Sequence, residues 1–176
     1  MTKYEKSEHI RAFDDQIFHI LSLHYAERVL CTEAVAYKYR QHPGQDIRQG
    51  DERCFYSLEM YRTALKRAVA DGWSDFAPVV CSFANTINWT ADTVKPELRE
   101  RFLKGAAELW VLIAKTFGKT SFSIADVSWI THREFAGMVE TFTEKYSDLP
   151  QLYAWSHLST VEMYPELVRV SGQASS

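Results

Sequence analysis

The segment Lys95 to Gly118, KPELRERFLKGAAELWVLIAKTFG, constrains the fold most, because its character changes halfway along. Its first half contains two acid-before-base pairs at a spacing of four, an arrangement that favours an exposed helical face: Glu97 with Arg101 and Glu100 with Lys104. From residue 105 to residue 114 the single charged side chain is Glu108. A helix that is apolar on nearly every side must be enclosed by other elements, so we expect a central apolar helix at about 96–117.

Helical spacing of apolar residues recurs along the rest of the chain. It predicts one long helix, or two nearly collinear ones, from Ser7 to about Gln41, and then a loop over residues 42–50. We expect helix starts at Asp51, at Ser74 and at a Thr131 to Glu134 capping box. The predicted fold is therefore all-α, a single-domain bundle of six or seven helices over residues 1–170, followed by a flexible tail over residues 171–176.

Composition limits the class of protein. With 176 residues and 46% hydrophobic content, the chain can bury one substantial core. The net charge of -3 attracts no polyanion over the whole surface. The three cysteines are odd in number and have no CxxC spacing, so we expect small core residues and a reducing, cytoplasmic location. No signal-peptide pattern and no apolar run of membrane-spanning length is present, so neither secretion nor a membrane is expected.

A polar cluster interrupts the apolar stripe of the first predicted helix. Advancing 100° per residue from Ile17 places four polar residues on or beside that stripe: His24, Glu27, Arg28 and Cys31. One interpretation is structural: Glu27 and Arg28 pair with a neighbouring helix, or the stripe rotates outward there, and His24 is a hydrogen-bonded core histidine. The other is a pocket for a small ligand, haem or metal, in which His24 is a ligand or an acid/base and Arg28 holds an anionic group.

Candidate partner-binding residues form a second group. Basic and aromatic side chains outnumber acidic ones between residues 37 and 67, and we expect Glu59, Arg62, Lys66 and Arg67 on an outer helix face. This region is either a solvated face or a surface for a polyanion or an acidic partner. Tryptophans near predicted helix ends either close the bundle or anchor an interface. The candidates are Tyr37, Lys38, Arg40, Arg48, Arg62, Lys66, Arg67, Trp73 and Trp89.

Motifs of catalysis and of nucleotide binding are absent from the sequence. It contains no G-x-S-x-G turn, no G-x-G-x-x-G and no P-loop, and it predicts no catalytic residue and no cofactor. The expected function is that of a non-catalytic helical regulator or adaptor, which contacts a protein partner and self-associates. Two alternatives stay open: a ligand-, haem- or metal-binding protein that uses His24 and Arg28, and a nucleic-acid-associated factor that uses the basic residues 38–67.

Overall fold

The computed structural model describes residues 13–34, 38, 45, 50–74, 76–117 and 128–148. Within those residues every regular element is helical: five α-helices, one 3-10 helix and no strand, so the all-α prediction is confirmed. They are α1 (Asp14–Tyr25), a 3-10 helix (Glu52–Phe55), α2 (Tyr56–Ala70), α3 (Ala77–Thr93), α4 (Pro96–Phe117) and α5 (Glu134–Lys145). The predicted tail at 171–176, and any helix in residues 118–127 or 149–170, lie outside the described residues. None of the described helices is both long and apolar enough to cross a membrane.

Helix α4 carries the largest share of the described core. All ten residues from 105 to 114 are buried, including Glu108, and Leu109, Leu112 and Ile113 have no exposed surface. The helix packs on α2, α3, α5 and the 3-10 helix, and its contact with α5 is the most extensive. Its first half follows the sequence pattern, because Lys104 and Glu100 form an exposed ion pair at 2.7 Å.

Helix α1 is shorter than the sequence pattern predicts. It ends at Tyr25, Ala26 is extended, and no helix is present from Ala26 to Ala34, so the prediction of a helix to about Gln41 is wrong over this stretch. The reason lies in its neighbour. The Tyr25 hydroxyl donates to Asp71, directly after the end of α2, so the surface on which α1 packs ends there. Without tertiary packing a helix of marginal propensity does not continue.

Helix α2 buries side chains that the sequence pattern placed outside. Glu59 and Arg62 are 4% and 1% exposed, with Arg62 Nε 3.8 Å from the Glu59 carboxylate, so the predicted outer face is wrong at these positions. A buried charge is tolerated when an opposite charge neutralises it.

The three cysteines differ in their exposure. Cys54 is buried as expected, whereas Cys31 and Cys81 are exposed.

The helix starts show which capping signals the structure uses. Asp51 accepts a hydrogen bond from the Arg53 amide at 3.0 Å and caps the 3-10 helix, as predicted. Helix α3 begins after Phe76, not after Ser74. The predicted capping box at α5 is wrong, because the hydroxyl and amide of Thr131 both donate to the Asn88 side chain and Glu134 is itself the first helical residue.

Candidate functional site

A groove of about 400 Å³ lies where α1 passes the start of α3. Its apolar wall comes from three elements: Ile20 and Leu23 of α1, Trp73 of the loop after α2, and Pro78 and Val79 of α3. Its polar lining residues are Gln16, His19, His24 and Ser82. Helix α1 therefore has two different faces. Ile17 (2% exposed) packs into the core, whereas Gln16, Ile20 and Leu23 line the groove.

His24 and Trp73 stack face to face and form one wall of this groove. The two rings are nearly parallel, with an interplanar angle of 15° and 3.6 Å between their centroids. Trp73 is 7% exposed and also contacts Phe76, whose ring stacks on Phe117 at the end of α4. The wall is thus held from behind by the core. His24 itself is exposed, so its interpretation as a core histidine is wrong. Its position beside a groove leaves the ligand-binding hypothesis as a prediction.

The other members of the predicted polar cluster do not join His24 in the groove. Glu27, Arg28 and Cys31 follow the end of α1, where helical spacing no longer applies, and all three are exposed. None of them is among the residues that line the groove. The structure therefore keeps one member of the cluster, His24, at a candidate site and leaves the other three on the surface.

Of the groove residues, the sequence pattern indicated His24 and Trp73 as candidate site residues; the others are Gln16, His19, Ile20, Leu23, Pro78, Val79 and Ser82. Ser82 is held by a hydrogen bond with the Tyr61 hydroxyl at 2.8 Å, and Tyr61 also bonds Thr86 at 2.9 Å. A single helical wheel can show that Gln16 and Leu23 share a face with Ile20. It carries no information about the loop and the helix that face them, because those contacts are distant in sequence.

The predicted partner-binding residues have different surroundings. Arg62 is buried, Trp73 is buried in the groove wall, and Arg67 is partly buried with its Nε 2.6 Å from Asp71. Lys38 and Lys66 are exposed, and Trp89 is 42% exposed. Tyr37, Arg40 and Arg48 lie outside the described residues. Arg62 is therefore not part of an exposed basic surface, and the charge of Arg67 is neutralised by its ion pair with Asp71.

Exposed apolar side chains concentrate in and after α1. The large ones in this stretch are Phe18, Leu23, Tyr25, Val29 and Leu30, with exposures of 55%, 59%, 44%, 59% and 90%. Elsewhere in the described residues Trp89 and Trp129 are each 42% exposed. Apolar surface left in water in one contiguous stretch is typical of an interaction site.

A polar cluster around His132 joins α3, α4 and α5. Arg99 Nη2 lies 2.8 Å from His132 Nδ1, and the same nitrogen donates to Glu134 at 2.9 Å. Because arginine can only donate, Nδ1 accepts and the imidazole proton sits on Nε2, which faces the Asn88 carbonyl oxygen at 3.3 Å. Asp92 is 3.7 Å from the same Nε2. Each of these contacts joins two elements, so the cluster fixes the start of α5.

A second polar cluster joins α4 to the end of α5. The Tyr146 hydroxyl donates to the buried Glu108 carboxylate, and Lys145 Nζ lies 3.4 Å from the same oxygen. Burial, followed by the hydrogen bond to Glu108, raises the pKa of Tyr146. A side-chain hydrogen bond between Lys145 and Tyr146 is the main cause that raises the pKa of Lys145. The buried Glu108 is thus accounted for as a structural partner of α5.

Groups of side chains that could bind a metal ion can be sought only among the described residues. No three His, Cys, Asp or Glu side chains lie close enough together there to hold a cation. The His24 ring lies flat on Trp73.

Comparisons with known proteins add no family to this picture. A scan against models of protein families, a search of curated proteins and a search of solved structures each return no match. The class that the fold itself defines is an all-α protein.

Proposed function

We propose that this chain is a non-catalytic helical binding protein, a regulator or adaptor that acts through protein-protein contacts and self-associates. The observation that supports the proposal is the apolar surface of residues 18–30, where Leu30 is 90% exposed and Phe18, Leu23 and Val29 are each more than half exposed. Burying such side chains at an interface contributes roughly 1.5–3 kcal/mol each, which is enough to drive association when several are combined.

The proposal includes the organisation of the whole chain. In it, six or seven helices form one domain around α4, and the protein works in the cytoplasm. The free thiols of Cys31, Cys54 and Cys81 are in keeping with a reducing compartment. The described helices share one hydrophobic cluster that runs from Ile17 to Tyr146, as a single domain requires.

The test measures mass by light scattering over a range of concentrations. We expect the wild-type mass to exceed the 20.3 kDa of one chain and to rise with concentration. Leu30→Ser should raise the dissociation constant roughly tenfold or more, because two copies each lose a buried leucine. Trp89→Ser is the matched control, since it removes an exposed apolar ring from α3 instead.

Two results would contradict the proposal. A wild-type mass equal to one chain at every concentration contradicts self-association. An unchanged dissociation constant for Leu30→Ser contradicts the assignment of the surface, and a loss of association in Trp89→Ser alone would move the interface to α3.

A further inference from the structure

We propose that the groove between α1 and α3 is a binding site for a small planar aromatic carboxylate. The groove adjoins the apolar surface of residues 18–30 and shares Leu23 with it, but it is a concave space of about 400 Å³, within the size range of small-molecule sites. The ligand is distinct from the protein partner proposed above, and light scattering on each titrated sample separates ligand binding from self-association.

The shape of the groove selects a planar ligand. Its wall is formed by the stacked rings of His24 and Trp73, which lie 15° from parallel, and by the short apolar side chains of Pro78 and Val79. Each of these rings covers one face of the other, so a flat aromatic ligand would extend the stack on the outer face of the exposed His24 ring, where a branched aliphatic group makes less contact. Phe76 packs behind Trp73, so the wall is formed before the ligand arrives.

The hydrogen-bonding groups of the groove select an acceptor on the ligand. Trp73 is 7% exposed, and its indole nitrogen has no hydrogen-bond partner in the described part of the chain. An indole nitrogen can only donate, and the imidazoles of His19 and His24 supply further donors. A carboxylate accepts several such bonds at once.

The described lining residues of the groove carry no acidic side chain. They include neither Asp nor Glu. Two acidic neighbours along the chain are engaged elsewhere: Asp15 accepts from the Gln16 amide at 3.0 Å, and Asp71 accepts from Tyr25 and Arg67. A bound carboxylate therefore meets no like charge from the described lining residues. Gln16 adds a side-chain amide to the lining, and its Nε2 group can donate to a bound carboxylate.

The test uses isothermal titration of the full chain with 1-naphthoate and with 1-naphthylamine. The two probes share one ring system, but the second carries an amine donor in place of the acceptor. We expect 1-naphthoate to bind with a dissociation constant of roughly 10 µM to 1 mM, as ligand efficiency allows for a molecule of this size. 1-Naphthylamine should bind at least roughly fivefold more weakly, because the indole donor then stays unpaired.

Two variants on one helix separate the groove from the general surface. Leu23→Trp places a large ring in the groove from a position that is 59% exposed, and it should abolish binding. Phe18→Trp makes a matched change at a position that is 55% exposed and does not line the groove, so binding should be unchanged. His24→Ala should weaken binding roughly fivefold through loss of the stacked wall. Far-ultraviolet circular dichroism confirms that each variant keeps its helical content.

Three outcomes would overturn the proposal. The first is the absence of any heat of binding when 1-naphthoate is added to wild-type protein at 2 mM, roughly twice the weakest dissociation constant expected. The second is equal weakening by Leu23→Trp and Phe18→Trp, which would mean adsorption to the surface. The third is equal affinity for the two naphthalene probes, which would remove the carboxylate as the recognised group.

Discussion

His24 illustrates at the scale of one residue how a side chain can leave the face that its helical spacing assigns to it. It follows Ile17 by two turns, yet Ile17 is 2% exposed and His24 is exposed. The last turn of α1 lies beside the end of α2, where Tyr25 donates to Asp71, and His24 there stacks on Trp73 of the following loop. Its residue type is visible in the sequence, whereas its partner comes from a distant loop.

Cysteine reactivity follows from the same dependence on surroundings. Cys31 and Cys81 are exposed, whereas Cys54 is 3% exposed and burial raises its pKa to about 11. The thiolate is the reactive form, so we expect Ellman's reagent at pH 8 to label Cys31 and Cys81 rapidly and Cys54 only after unfolding in urea. In Cys54→Ala the native labelling should be unchanged and the additional labelling in urea should disappear. Equal rates for all three thiols in the native protein would contradict this prediction.

At the scale of the element, the ends of the helices depend on what meets them. The turn between α3 and α4 is held by Gly50, whose carbonyl oxygen accepts from the Lys95 amide at 2.8 Å. Gly50 has a φ of 60°, and a Cβ at this position would lie 2.5 Å from the Thr93 carbonyl oxygen. A glycine is therefore required here for two reasons, backbone conformation and space.

Three glycine substitutions separate those reasons. Gly50→Ala should lower the free energy of unfolding by more than about 2 kcal/mol, from the positive φ and the backbone clash together. Gly72→Ala has a φ of 66° but open space around it, and it should cost about 1 kcal/mol. Gly137→Ala lies within α5 with nothing near its Cβ, so it should raise the free energy of unfolding by about 0.5–1 kcal/mol. Urea unfolding followed by circular dichroism measures all three, and a Gly50→Ala variant no less stable than Gly72→Ala would refute the clash.

At the scale of the whole molecule, the described helices share one core that also encloses ionisable groups. Burial is the main cause that raises the pKa of Cys54, of Tyr61 and of Tyr146, which belong to three different elements. Glu108 of α4 adds to the effect on Tyr146. These groups stay protonated in the folded protein at pH values where they ionise in the unfolded chain.

The protein should therefore lose stability at alkaline pH. Above about pH 9 the unfolded chain releases protons that the folded protein retains, so the free energy of unfolding falls as the pH rises. The stabilising contribution is fully present below pH 8. We expect the urea midpoint to drop between pH 8 and pH 10.5, and to drop less in Tyr61→Phe and Cys54→Ala, each of which removes one such group. An equal drop in the variants and the wild type would argue against these residues as the cause.

The extent to which the sequence predicted the structure differs from element to element. The character of 105–114 and the cap at Asp51 could be read locally, because each depends on residues within a few positions. The end of α1 and the burial of Arg62 could not, since both depend on what the neighbouring chain covers. The groove could be predicted only in part. His24 is a polar residue on an apolar stripe and is visible in the sequence, whereas Trp73 and Val79 reach the groove through tertiary packing.

The sequence by itself determined that the regular elements of the described residues are helices, and that residues 105–114 lie inside. Periodicity and charge spacing act within one or two turns, so a single chain segment carries that information. Only the tertiary structure decided which of two faces of α1 packs into the core and which lines a groove. That choice depends on where α2 ends and where Trp73 lies, and the free energy of burial is set by neighbours that are distant along the chain.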